Sequence, residues 1–563
     1  MSHSSQSSKP STEAAQLVDG DTQSNEMACS GDGPGGGIDG CGTRTIGMSD
    51  ASGVSDAANG ADQPRCVMLV ANRFTHDTRV AKEAESVASL GVDVHVIALA
   101  GGGLPEFEPR GTGGRTYSIH RIRPGSRLSA VAILILARWT EWPLTHRLKP
   151  DDTPFVRPRP GQTMAPRLDS RAGSDSGANS GAAQGANENK KRKRQKGQLP
   201  VTRSLGAIVT SIKNSCNRAL RWVALSVPNT GVVATWRPMI SRALSLQPDV
   251  LHANDLNTLP AGAVVARRCR CGLVYDSHEL WLHRNIGSRS RFVDRLVWGR
   301  FERSLIGRCD AVISVAAGIC EWLARKYGVQ HPHLVRNAQP YEAPPKRGRE
   351  IADRIGLTDD APICLYAGAI TFNRGLELLI EAAVHMPGVH IVIMGYATNA
   401  EYEKGLLSLA RANGTLDRVV HFLPAVPRED LLVWTASADL SVVPTQGVCM
   451  SYRFEASNKI FQSLMAGVPL AMSDHEEKRR LVEEWGVGVL FDERDPKAIA
   501  DCVLRCLADR EGMVRMREKC LLAARTLNWE HEEATLLSIY RSVLGARRIA
   551  AETSVPAHSQ MPH

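Results

Sequence analysis

Residues 438–474 read ADLSVVPTQGVCMSYRFEASNKIFQSLMAGVPLAMSD. Leu440–Val443 is a short apolar run closed by Pro444, the mark of a buried strand with a breaker behind it. A polar loop, Gln446–Glu455, follows. Over Asn458–Met465 the apolar residues Ile460, Phe461, Leu464 and Met465 fall on one helical face. Gly467 stands where that helix should end, and Pro469 blocks its continuation. Leu470–Met472 is a second strand. The unit is therefore strand–loop–helix–strand, with the loop and the helix start at the carboxyl edge of a parallel sheet, where ligands bind in open α/β folds. Unpaired N–H groups and the macrodipole make a helix start attractive to anions. Asn458 and Lys459 stand at that start and suit a diphosphate.

The same alternation runs outward in both directions. Cys66–Ala71 is a strand, followed by the loop Asn72–Thr78. A helix carrying Val80, Ala84, Val87 and Leu90 on one face comes next, then the strand Val94–Ala100. The first loop has no GxGxxG, so a nucleotide-type phosphate cradle is not expected there. Asp77 suits an N-cap. Further strands are read at Tyr117–Arg123, Pro248–Asn254, Gly272–Ser277, Asp310–Val315 and His333–Arg336, with helices between them. The carboxyl end of Gly272–Ser277 delivers His278 and Glu279, beside Asp276. A polar, Pro-rich link at Gln339–Arg349 leads to a second alternating series. It starts at Ile363–Ala369 and includes His390–Gly395, Val420–Leu423, Leu440–Val443, Leu470–Met472 and Val487–Phe491. Two doubly wound α/β domains are expected.

Composition fits. A chain of 563 residues accommodates two or three domains, and 43% hydrophobic content supplies cores without polytopic membrane character. The net charge of +9 owes much to Lys190–Lys196 (KKRKRQK), a local run and not the spread basic face of a nucleic-acid enzyme. Thirteen cysteines, without paired metal-ligand spacing, suit a reducing cytoplasm. The N-terminus lacks an apolar signal core. Leu128–Ala137, the most apolar window, is too short to span a bilayer. Residues 1–63 and the insertion 150–200 have the Ser/Gly/Ala/Pro-rich composition of disordered segments. The basic run and the residues around Arg138, Arg147 and Lys149 allow a peripheral membrane contact.

SNKIFQSLMAGVP (457–469) resembles the PNKxFEYxAAGxPV segment of retaining, two-domain GT-B glycosyltransferases of family 4 (glycosyl transferases group 1). HDTRVAKEAESVASLGVDVHV (76–96), VLHANDLNTLPAG (250–262), LVYDSHELW (273–281) and YAGAITFNRGLELLIEAA (366–383) resemble other parts of the same family. The resemblance implies a GT-B fold: two Rossmann-like domains facing across a cleft, with a disordered N-terminal tail and an inserted linker. It divides the chain into a tail (1–63), an acceptor domain (64–340, interrupted by 150–200), a nucleotide-sugar domain (341–528), a helix crossing back to the first domain (529–548) and a tail (549–563). It implies transfer of a sugar from a nucleotide-sugar donor to an acceptor hydroxyl of a glycan or lipid-linked molecule, without a metal or other cofactor. His278 and Glu279 are the implied catalytic candidates, with Asp255 a weaker one. Arg374, Asn458 and Lys459 would hold the donor diphosphate. Gln462 and Glu455 would serve the nucleotide and ribose. His76, Asp77 and Arg79 would border the acceptor. The family's glutamate pair, eight residues apart, is absent: its positions hold Phe454 and Gln462. Its Gly-Arg after the first strand of the second domain is Gly368-Ala369, leaving Lys459 to take the arginine's part. That departure keeps two alternatives in view, a non-catalytic nucleotide-sugar-binding or scaffold protein and a nucleotide-sugar epimerase.

Overall fold

The computed structural model describes residues 63–75, 77–125, 230–285 and 288–554. The expected tail 1–63 (all but its last residue), the insertion 150–200, Leu128–Ala137, the basic run Lys190–Lys196 and His76 lie outside the described residues.

The strands form two sheets. In the first half, β1 (Arg65–Leu69), β2 (Asp93–Leu99), β3 (Phe107–Arg110), β4 (Tyr117–Ile122), β5 (Val250–Asn254), β6 (Gly272–Ser277), β7 (Ala311–Ser314) and β8 (His333–Leu334) are arranged in the order β3-β4-β2-β1-β5-β6-β7-β8. In the second half, β9 (Ile363–Ala367), β10 (His390–Gly395), β11 (Val420–Pro424), β12 (Leu440–Val443), β13 (Leu470–Ser473) and β14 (Gly488–Phe491) give β11-β10-β9-β12-β13-β14. Both orders reverse at the first strand, β1 and β9. The second sheet is parallel throughout. The first has one antiparallel edge, β3 on β4, which the sequence did not disclose. The segment is only four residues, FEPR, and its burial alternates with no buried position, so it carries no apolar signature.

Runs such as Cys66–Leu69 and Val250–Asn254 are buried at nearly every position, as strands covered on both faces must be. The closing helix, Trp529–Ser554, returns to the first half. Trp529, Leu536, Ile539, Tyr540 and Val543 join the core built by β1, β2 and the helix Thr78–Ala88. The Trp529 indole N–H donates to Ser86 Oγ at 3.2 Å.

Near the outer edge of the first sheet a polar chain crosses β2 and β4. Arg242 Nη2 donates to His120 Nδ1 at 2.8 Å, so His120 carries its proton on Nε2. Nε2 is 3.0 Å from His95 Nδ1, and His95 Nε2 is 3.0 Å from Asp93 Oδ2. Because the guanidinium can only donate, the proton order along the chain is fixed and both imidazoles are neutral. Nearby, Gly125 N donates to Ala234 O at 2.9 Å, joining the chain just after β4 to the helix Thr230–Leu246.

Candidate active site

The candidate residues cluster where the strands end. In the first half, β5 delivers Asp255, which adopts a left-handed backbone (φ 63°). β6 ends in Asp276 and Ser277, followed by His278 and Glu279. His278 Nε2 is 3.2 Å from Asp276 Oδ2, and Nδ1 is 3.5 Å from Asp255 Oδ2. Its backbone N–H donates to Asp255 Oδ1 at 3.2 Å. Burial acts to lower its pKa, but the carboxylates of Asp255 and Asp276 outweigh that effect and raise it to about 10. His278 is thus an imidazolium near neutral pH, a donor and a fixed positive charge and not a base.

Arg79 is not on an open acceptor-side loop. It is buried, and its Nε and Nη2 both donate to Asp276 Oδ2, at 2.9 and 2.7 Å. Nη1 donates to Val335 O, and Glu83 Oε1 lies 3.1 Å from Nε. Against burial, Arg79 and then His278 hold the Asp276 carboxyl far below the usual range. Glu83, Asp276 and His252 present ligand-type atoms within 4.8 Å of one another. The guanidinium of Arg79 is the cation that lies between the two acids. Asp77, as its position suggested, caps the helix by accepting from Val80 N at 3.2 Å. Glu279 is raised to about 7 by burial, opposed chiefly by Arg284.

In the second half, the loops after β9 and β12 are joined by Gln446 N donating to Asn373 O. Arg374 is buried, and its Nη1 donates to both oxygens of Glu455, at 2.7 and 3.0 Å. Its guanidinium lies 5.0 Å from the centre of the Tyr452 ring. Lys459 extends over Tyr366, with Nζ 5.2 Å from the ring centre, and fills the space that a Cβ on Gly368 would need. That glycine has φ 147°, open to few other residues. Lys459 is lowered to about 7 by burial and then by the charge of Arg374, while Glu455 opposes both. The two groups are near enough for Arg374 to act on Lys459 and for both to act on Glu455. Asn458 and Gln462 are half-buried on the same helix. A third cation escaped the sequence reading. Lys478 is fully buried, donates to Ser473 Oγ at 2.6 Å, and feels both Glu455 and Arg374. Its helix, Glu476–Trp485, is charged and carries no motif.

Several contacts bring the halves together, among them the ion pair of Arg480 with Glu321 at 2.6 Å. Ser451 Oγ donates to Glu279 Oε2 at 3.5 Å. The Glu477 carboxylate accepts from the N–H groups of Ala317 and Gly318, at 3.2 and 3.1 Å, and so caps a first-half helix with a second-half acid. Phe454 lies on Gly318, where a Cβ would enter its ring. The Phe454 position, an acid in the family pattern, is here an apolar contact between halves.

The comparisons with known proteins agree with this layout. Residues 213–338 match the model for Glycosyltransferase Family 4, and 361–509 match that for Glycosyl transferases group 1. D-inositol 3-phosphate glycosyltransferase of Xylanimonas cellulosilytica is 28% identical over 306 residues, 52% of this chain and 71% of that one. Alpha-maltose-1-phosphate synthase of Mycolicibacterium smegmatis is 27% identical over 264 residues, 43% and 65%. The chain is a GT-B glycosyltransferase. Among solved structures, this glycosyltransferase is similar to sucrose-phosphate synthase of Thermosynechococcus elongatus. The TM-score is 0.59 at 14% identity, over 86% of this chain and all of that one. Anabaena HepE in complex with UDP-glucose gives 0.52 at 12%, over 85% and 99%. At such identity these two speak for the fold alone. Among the described residues no helix of the glycosyltransferase is long and apolar enough to cross a membrane.

Proposed function

We propose that the glycosyltransferase moves a sugar from a nucleotide-sugar donor to a hydroxyl of a glycan or lipid-linked acceptor, with retention at the anomeric carbon. The bond from the anomeric carbon to the diphosphate breaks, and the diphosphate leaves with the electron pair. The acceptor oxygen bonds to that carbon and yields its proton to the departing phosphate oxygen. Arg374 and Lys459, with the helix start at Asn458, supply the positive field that the leaving group needs. Gln462 and Glu455 serve the nucleotide side. His278, as a fixed imidazolium, and Glu279 face the sugar from the first half. The chain's own cations do this work, so no divalent ion is invoked.

The observation that carries this reading is that Arg374 donates to Glu455 and that the charges of Arg374, Lys478 and Lys459 all act on that one carboxylate. The first half approaches the same loop through Ser451 and Glu279. Three basic groups against one acid leave charge for a diphosphate. UDP-glucose, present in the Anabaena HepE structure, is the natural first probe. We place the enzyme in the cytoplasm, with peripheral membrane contact left to the segment after β4; none of the ten described cysteines forms a disulfide.

The test is a thermal-shift screen of nucleotide sugars on the full chain, followed by turnover with and without acceptor. A rise in melting temperature with a nucleotide sugar, lost in Arg374→Ala, supports the reading. Alteration of the sugar without acceptor would instead reveal an epimerase. Binding with no turnover against any hydroxyl acceptor would leave a binding protein.

A further inference from the structure

The closing helix sends one polar group into the first half. Tyr540 is fully buried, and its hydroxyl lies 2.6 Å from His252 Nδ1 and 3.6 Å from Cys66 Sγ. His252, also fully buried, turns its other nitrogen toward two acids. Nε2 is 3.9 Å from Asp276 Oδ2 and 4.0 Å from Glu83 Oε2. The same Asp276 oxygen receives His278 Nε2 and the Arg79 guanidinium. These side chains form a row from Tyr540 through His252 and Asp276 to the half-buried His278, with one open step: His252 Nε2 makes no hydrogen bond and stands 3.9 Å from Asp276 Oδ2.

Chemistry orders the protons along this row. The phenol stays protonated, since burial raises it well above its ordinary value. Burial also lowers His252 to about 4, so its ring is neutral. A neutral imidazole has one acceptor nitrogen, and a nitrogen facing two carboxyl groups is best placed as the N–H. Tyr540 then donates to Nδ1, and the Cys66 thiol can donate to the phenol oxygen.

We propose that Tyr540 is a positioning residue for the His278 site: its hydroxyl fixes His252 in the Nε2–H form, and that N–H sustains the Asp276 carboxylate on which His278 rests. This deepens the proposed function, since it rests on His278 acting at the reaction centre. The groups facing His278 are Asp276, Asp255, Arg79, Glu83 and His252, with Asp77 acting on Asp255 and Glu279 adjoining. Removing the hydroxyl frees His252 to turn a lone pair toward Asp276. Asp276 then holds its charge less well, and His278 loses its proton more readily.

The test uses the full chain with ¹⁵N-labelled histidine. In the wild type, His252 should show a protonated Nε2 and a bare Nδ1 at neutral pH; the opposite tautomer overturns the proposal, and this measurement needs no variant. In Tyr540→Phe, the His278 titration should move down by about one pH unit, and the alkaline limb of kcat should move with it. An unmoved His278 titration in folded Tyr540→Phe also overturns it. Unimpaired turnover in His278→Gln would instead strike at the proposed function, and leaves the tautomer and titration results to be judged on their own.

Discussion

Arg374 turns a single guanidinium nitrogen, Nη1, onto both carboxylate oxygens of Glu455, at 2.7 and 3.0 Å. Nε of Arg374 is buried and makes no hydrogen bond. A guanidinium held by one corner keeps donors in hand for a second anion. Replacing it with lysine keeps the charge but removes the planar fork. Arg374→Lys should weaken UDP-glucose binding roughly tenfold, and Arg374→Ala by more, each tenfold being about 1.4 kcal/mol. Titration calorimetry reads the change. Wild-type affinity in Arg374→Ala would remove this residue from the donor site.

With Lys459 in the proposed donor site, donor binding should depend on pH. The folded pKa of Lys459 is lowered to about 7 from an ordinary 10.5. Between those values the unfolded chain holds the proton and the empty folded site does not, so this residue makes stability rise with pH across that window. A diphosphate favours the charged form. UDP-glucose affinity should therefore fall as pH rises from 6.5 to 8.5, with proton uptake visible as a buffer-dependent binding enthalpy. Lys459→Arg should flatten the dependence.

The Phe454–Gly318 contact offers a steric test of how the halves meet. A methyl group at Gly318 would enter the Phe454 ring. Gly318→Ala should cost about 1–3 kcal/mol, as overpacking does. Phe454→Ala should recover much of that loss in the double variant, as neighbours that share a contact are non-additive. Equal melting temperatures for Gly318→Ala and wild type would show that the ring gives way freely.

At the sheet edge, His120 is lowered to about 4 by burial and then by Arg242. Between that value and the ordinary 6.5 the unfolded chain binds the extra proton. The contribution of neutral His120 is therefore complete above about 6.5 and is lost as pH falls toward 4. Melting temperature should decline over that range, and His120→Phe should shallow the decline. An identical acid profile in the variant would show that the Arg242–His120–His95 chain is not what titrates.

The sequence disclosed the parts that repeat or alternate. Leu440–Val443 and Asn458–Met465 stand where the apolar pattern put them, because buried parallel strands and one-faced helices leave short-range signatures. Lys459 was singled out by its place at a helix start, and Arg374 by the resemblance of its loop to the family's. The buried cluster was not. Arg79 was expected to border the acceptor, and its partner Asp276 is 197 residues away. His252, Glu83 and Tyr540 gain their meaning from neighbours that only the folded chain supplies. Lys478 stands in a helix whose charged sequence gives no hint that one of its residues is sealed from water.

The hydrogen bond from Gly125 to Ala234 has a practical corollary for engineering. Gly125, just after β4, and Ala234, in the helix that precedes β5, are one hydrogen bond apart. A few flexible residues could therefore link Gly125 to Ala234 without stretching the sheet. A shortened enzyme made this way would ask whether catalysis needs only the described strands and helices.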